Sequence, residues 1–175
     1  MAPRTKSVHE VELTRAWIDW LVDTRRGYLD ALLRMPRKER LLDRGASFPS
    51  MQDIFLHILD NNAWWFDSVV NGRQESHREI RGSLSDAELR RQASRVAQLG
   101  RRLARSLTPA RLRRSFVVRG TQGDGTPFEM RVNLRTIVWH LVEEELQHRG
   151  ELNALFWQQD VDAPTRAWFS SALAG

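Results

Sequence analysis

His140, Glu144 and His148 follow one another at four-residue intervals in the stretch NLRTIVWHLVEEELQHRGELNALFWQ, from Asn133 to Gln158. Residues four apart on a helix are neighbours on one face. Two ligand-type side chains of this line, His140 with Glu144 or Glu144 with His148, can therefore grip one cation from one side. The third protein ligand has to come from another element, and the best candidate is His57, inside a second apolar helical stretch from Met51 to Val70. The chain has only five histidines, at 9, 57, 77, 140 and 148. Three of them interrupt long apolar helical patterns, where a protonatable ring is costly unless paired. A single helical histidine is more commonly a packed or solvated residue; the combination is what argues for a metal. Two histidines and a carboxylate suit Zn, Ni or Fe(II), and three protein ligands leave a position open, as a catalytic metal requires.

Other chemistries are excluded or weakened by the same residues. Cysteine is absent, which removes disulfides, thiolate ligands and a cysteine nucleophile. A thiol, if the chemistry uses one, must arrive on a cosubstrate. The metalloprotease motif H-E-x-x-H is missing, and Gly120–Gly125 lacks the G-K-[ST] of a phosphate loop. The net charge is +5 and nearly all the basic residues are arginine. Excess arginine raises a nucleic-acid partner, but the charges are spread along the chain. The densest cluster, Arg101 to Arg114, lacks the interleaved aromatics that stack on single strands.

Two segments together resemble the DinB/YfiT-like family of metal-binding four-helix bundles. The first is SMQDIFLH from Ser50 to His57, followed by the aromatic run Ala63-Trp-Trp-Phe66. The second is HLVEEELQHRG from His140 to Gly150, similar to the family's His-x3-His-x3-His-Arg-Gly with Glu144 in place of the middle His. That substitution resembles the His/Glu/His branch that includes mini-circle-type proteins and mycothiol-dependent maleylpyruvate isomerases. The resemblance covers roughly residues 10 to 160. It implies one divalent metal, Zn or Ni in the usual case, held by His57, Glu144 and His148, and it does not imply one reaction.

The elements that must position these residues are helical. Helix patterns run from about Val8 to Arg34, from a cap at Ser50 to about Val70, from Ser85 with Glu88 as a capping box to about Leu107, and from Asn133 to Gln158. Residues 1–7 read as a tail, Pro36 to Arg44 as a connector, and residues 72–84 as a loop with His77 exposed. His57, Asn61 and Trp64 form one line on the second helix. Thr108-Pro109 can start an extra turn. Phe116–Arg119 and Pro127–Val132 read as extended segments around a Gly-rich turn, and Thr165 to Ala174 as a short last helix with Trp168, Phe169 and Leu173 inward. Gly150, inside a helix, is expected to let another helix pack closely. Glu143 and Glu145 are expected to point away from the site.

The expected fold is therefore all-α: one domain, a four-helix bundle of the DinB/YfiT-like type with a short β-hairpin before the last long helix. The expected function is a metal-dependent transferase, isomerase or hydrolase that activates a small thiol or a water for a small-molecule substrate. His140 is a candidate for proton transfer from one turn away. Asn61 is placed to orient the His57 imidazole or a bound water. The alternatives are a non-catalytic metal-containing small-molecule-binding or stress-response protein, and an Arg-rich nucleic-acid binder. No apolar run approaches a membrane span and no secretory pattern is visible, so the expected location is cytoplasmic. A homodimer would use the bundle helices rather than the hairpin.

Overall fold

The computed structural model describes residues 3–121 and 124–164, with side chains from residue 8 onward. The helices are α1 (Pro3–Arg34), a short α2 (Arg37–Arg40), α3 (Met51–Ala63), α4 (Asp86–Arg105), a short α5 (Pro109–Arg113) and α6 (Leu134–Trp157). The strands β1 (Ser115–Thr121) and β2 (Pro127–Asn133) pair antiparallel, with Val118 opposite Met130. The hairpin thus precedes the last long helix, as the sequence predicts. None of the described helices is long and apolar enough to cross a membrane.

Local chemistry sets the boundaries. Ser50 caps α3 by accepting from the Asp53 backbone N–H, and Ser85 with Glu88 forms a reciprocal capping box on α4. Thr108 caps α5 with Pro109 at its first position. Asn133 caps α6 through the Thr136 N–H. Helix α1 begins at Pro3, five residues before the expected start, and residues 165–174, expected as a last helix, lie outside the described residues.

The four long helices close a square: α1 packs on α4, α4 on α3, α3 on α6 and α6 on α1. The connections from α1 to α3 and from α4 to α6 cross its diagonals. The core is apolar, with Ile18, Leu32, Phe55, Leu59, Leu89, Leu141 and Phe156 among its buried members. Arg40 of α2 is also buried and ties that connector to Gln52 of α3 and Asp86 of α4.

Close helix packing falls at a different glycine from the one expected. A Cβ at Gly150 would meet nothing within 4 Å, so no helix packs closely there. The close approach is at Gly100 of α4, where a Cβ would lie 3.0 Å from Val22 Cγ2 of α1. Gly150→Ala is accordingly expected to stabilise the protein by about 0.5–1 kcal/mol, the helix propensity difference with no steric penalty. Urea unfolding of the two chains checks this; a loss of stability would mean the position is covered.

After Ala63 the second long helix widens into a π-helical turn, Trp64–Val69, in which the Val70 N–H bonds back to the Trp65 carbonyl. An i→i+5 turn shifts every following side chain around the helix. The expected line His57, Asn61, Trp64 divides where this turn begins, although the Trp64 N–H still bonds α-helically to the Asp60 carbonyl. Trp65 faces α6, with its ring 5.3 Å from His140, and Trp64 turns to His77 at 5.1 Å.

Candidate metal centre

Helix α3 presents His57 and Asn61 one turn apart, and α6 presents His148 and Glu144 across from them. His57 Nε2 lies 3.7 Å from Glu144 Oε2, and His148 Nε2 lies 3.8 Å from the same oxygen. One ligand atom from each of the three falls within 4.8 Å of the others. A metal held at about 2.0–2.2 Å from N and O ligands places tetrahedral ligand atoms about 3.4 Å apart. The observed spacing needs only a small contraction to accept an ion. His57 and Glu144 are about one-third exposed, whereas His148 is buried. The cluster is thus anchored on one side and open on the other.

The surrounding groups suit metal binding. Glu151 Oε2 is 2.8 Å from His148 Nδ1 and accepts at 2.6 Å from the Ser47 hydroxyl. A carboxylate on Nδ1 fixes the ring with Nε2 free, the arrangement common behind metal-bound histidines. Burial pushes the Glu151 carboxyl up, but hydrogen bonds from Ser47 and His148 outweigh it and hold the group below its usual range. Asn61 Nδ2 donates to Glu144 Oε2 at 3.3 Å, so it steadies the carboxylate rather than an imidazole. Phe48, from the connector before α3, stacks on His57 with centroids 4.4 Å apart and meets His148 edge-on at 5.6 Å. Burial, followed by the proximity of His148, holds the His57 pKa below that of an ordinary histidine. Its ring is therefore neutral, as a ligand must be, down to lower pH than usual.

Of the alternatives along the helix, the structure brings Glu144 and His148 to His57. His140, one turn before Glu144, instead lines a cleft of about 630 Å3 with Trp65, Met130, Ile137, Trp139 and Glu143. His9 is exposed and pairs with Glu12. His77 corrects the sequence expectation of exposure. It is largely covered, with Nε2 3.1 Å from Asp60 Oδ1 and Nδ1 2.9 Å from Ser68 Oγ. The physical reason is that Asp60 also accepts from the Ile80 N–H, pulling the 72–84 loop onto α3.

Glu145 points away from the histidines, as expected, but into the core rather than to solvent. It is 1% exposed and sits in the core with two arginines, Arg149 at 2.7 Å and Arg25 at 3.5 Å, and with Asn62 at 3.4 Å. The Arg149 guanidinium lies 4.4 Å over the Trp20 ring and 5.6 Å from that of Tyr28. Trp20 and Tyr28 thus pack against a buried cation, a favourable use of their ring faces. Of the residues that sequence reading missed, Glu151 was detectable as an acid at i+3 from His148. Phe48 carried no signal, because it reaches the site from an irregular connector.

A family model described as DinB family matches residues 10–159. No curated protein matches the chain.

Proposed function

The chain belongs to the DinB family, and on that premise we propose a metal-dependent enzyme with one divalent ion on His57, Glu144 and His148. It activates a small thiol or a water toward a small-molecule substrate. The observation that carries this is the convergence of two histidine Nε2 atoms on one Glu144 oxygen, with Glu151 on the far nitrogen of His148. Zn and Ni suit the donor set, and Fe(II) also accepts two histidines and a carboxylate. When bound, the ion lowers the pKa of a water or thiol beside it and polarises a carbonyl.

The chain's own residues supply the rest. Glu144 keeps the centre at a net charge near +1, Asn61 steadies its carboxylate, and Glu151 fixes the His148 tautomer. The aromatic cleft begins one helical turn further along the α3–α6 seam and takes the body of the substrate. His140, at its edge, moves a proton to or from that substrate. The absence of cysteine means that a thiol comes as cosubstrate. The Glu at position 144 favours the transferase or isomerase chemistry of the His/Glu/His branch.

Two measurements test this. The purified protein is expected to carry about one divalent ion per chain. With Co(II) in its place, a low-molecular-weight thiol is expected to give a thiolate-to-cobalt charge-transfer band. Metal binding without the band, and without solvent exchange at the ion, would favour a non-catalytic binding protein. Acid should release the metal late. Because the His57 pKa is depressed, the ion should be retained through the ordinary histidine pKa of about 6.5 and lost below it. The metal-free fold follows the same sign: the His57 contribution is full above about pH 6.5 and is lost as pH falls through the lowered value. Metal content after dialysis across a pH series reads this directly, and half-loss above pH 7 would contradict it.

A further inference from the structure

Three elements wall the cleft of about 630 Å3 beside His140. Strand β2 turns Met130 and Val132 to it, because residues two apart share one face of a strand. Arg131, between them, does not line it. Helix α6 adds Trp139, His140 and Glu143, which fall on one helical face at spacings of three and four. The π-helical turn adds Trp65, whose ring stands edge-on to His140 at 5.3 Å. Trp139 is about half exposed, yet it is braced by Trp17 of α1, with ring centroids 6.1 Å apart. A cleft of this size, walled chiefly by apolar side chains, accommodates a small molecule.

The walls are chemically selective. Two tryptophans border the cleft, and indole is the strongest aromatic partner for a cation. Glu143 is the only permanently charged side chain in the lining, and among the described residues no basic group lies within ion-pairing distance of it. Arg135, two turns before it on α6, is drawn to Glu10 of α1 instead. The chain as a whole carries a net charge of +5, which attracts anions at long range. A site for cations therefore has to be built locally, as an unpaired acid beside aromatic rings.

We infer that this cleft binds an organic cation, an apolar body bearing an ammonium group, with the ammonium at Glu143 and the body against Trp65, Met130 and Ile137. An anion is repelled by Glu143, a neutral analogue keeps only the apolar contacts, and an ammonium compound gains both the carboxylate and the indoles. The inference rests on reading the cleft as the place of the substrate, but binding there does not require the histidine cluster. Glu143 and Glu144 lie about 100° apart around α6, so one charge serves the cleft and the other the histidines.

The test is calorimetric titration of the full chain with phenethylamine, an ammonium at neutral pH, against its neutral analogue phenethyl alcohol and the anion hydrocinnamate. Each titration is run on the chain as purified and again after dialysis against a chelator. The ammonium is expected to bind about tenfold tighter than the alcohol in both preparations, the combined effect of a cation–π contact and a charge pair. Hydrocinnamate is expected to bind weakest. Glu143→Gln should reduce the preference to about threefold or less, the part owed to the indoles, and leave the alcohol unaffected. Trp139→Leu, at a half-exposed position, should weaken the ammonium and the alcohol alike while the circular dichroism stays that of the parent. Equal binding of ammonium and alcohol, or binding of neither, overturns the proposal. So does a preference that persists unchanged in Glu143→Gln. Binding that disappears with the metal places the amine on the ion and overturns the proposal while the metal site stands. A chain that carries no metal but prefers the ammonium upholds the cleft and removes the metal enzyme.

Discussion

Glu144→Gln is expected to weaken zinc or nickel binding by more than about 100-fold, because it removes the only anionic ligand. Glu151→Gln should cost less, about 10–100-fold, the usual effect of altering a group that orients a metal-bound histidine. Glu143→Gln should change nothing at the metal, since that side chain faces solvent and the cleft rather than His57. His57→Ala removes the only ligand from α3 and should empty the site as thoroughly as Glu144→Gln. Competition with a chromogenic chelator at fixed pH gives all four values. If Glu144→Gln keeps the affinity of the parent chain, the carboxylate is a hydrogen-bond partner of Asn61 and not a ligand.

Glu145→Gln, one residue further along α6, is expected to act on the fold instead. Its carboxylate is the anionic partner of both Arg25 and Arg149, which are 5% and 4% exposed. Removing one partner of a buried ionic cluster costs about 3–5 kcal/mol, because the remaining charges stay in the core uncompensated. Denaturant unfolding of the metal-free chain should show a loss of this size. The metal affinity of the fraction that remains folded should be close to that of the parent. A loss under about 1 kcal/mol would mean that water reaches these arginines. Together the neighbouring glutamates form a test of geometry: Glu143 is silent, Glu144 sets metal binding and Glu145 sets stability.

The sequence by itself determined a good deal. The helical periods around Ile54 and Ile137, the capping residues Ser85, Thr108 and Asn133, and the Gly-centred break before Asn133 are local signals. Their physics acts within a few residues, so they are legible without a fold. The i, i+4 relation of Glu144 and His148 is equally local. His57 became a candidate because a histidine in an apolar helix needs a partner, and the partner line was visible elsewhere in the chain.

The tertiary structure decided what depends on two elements meeting. The choice between His140 and His148 turns on which level of α6 faces His57, and no spacing within α6 encodes that. The π-helical turn at Trp64–Val69 changes the phase of a helix that reads as regular in sequence, and at its start Trp65 faces His140 while Trp64 faces His77. Glu145 looks like its neighbours in a run of three acids. Its burial follows from the rotation of α6 against α1, which brings Arg25 to it from 120 positions away in the chain. His77 and Phe48 owe their places to irregular segments, whose paths are set by long-range bonds such as that from the Ile80 N–H to Asp60. Periodicity reports which face of an element is apolar; only packing fixes which charged residue that face carries into the core.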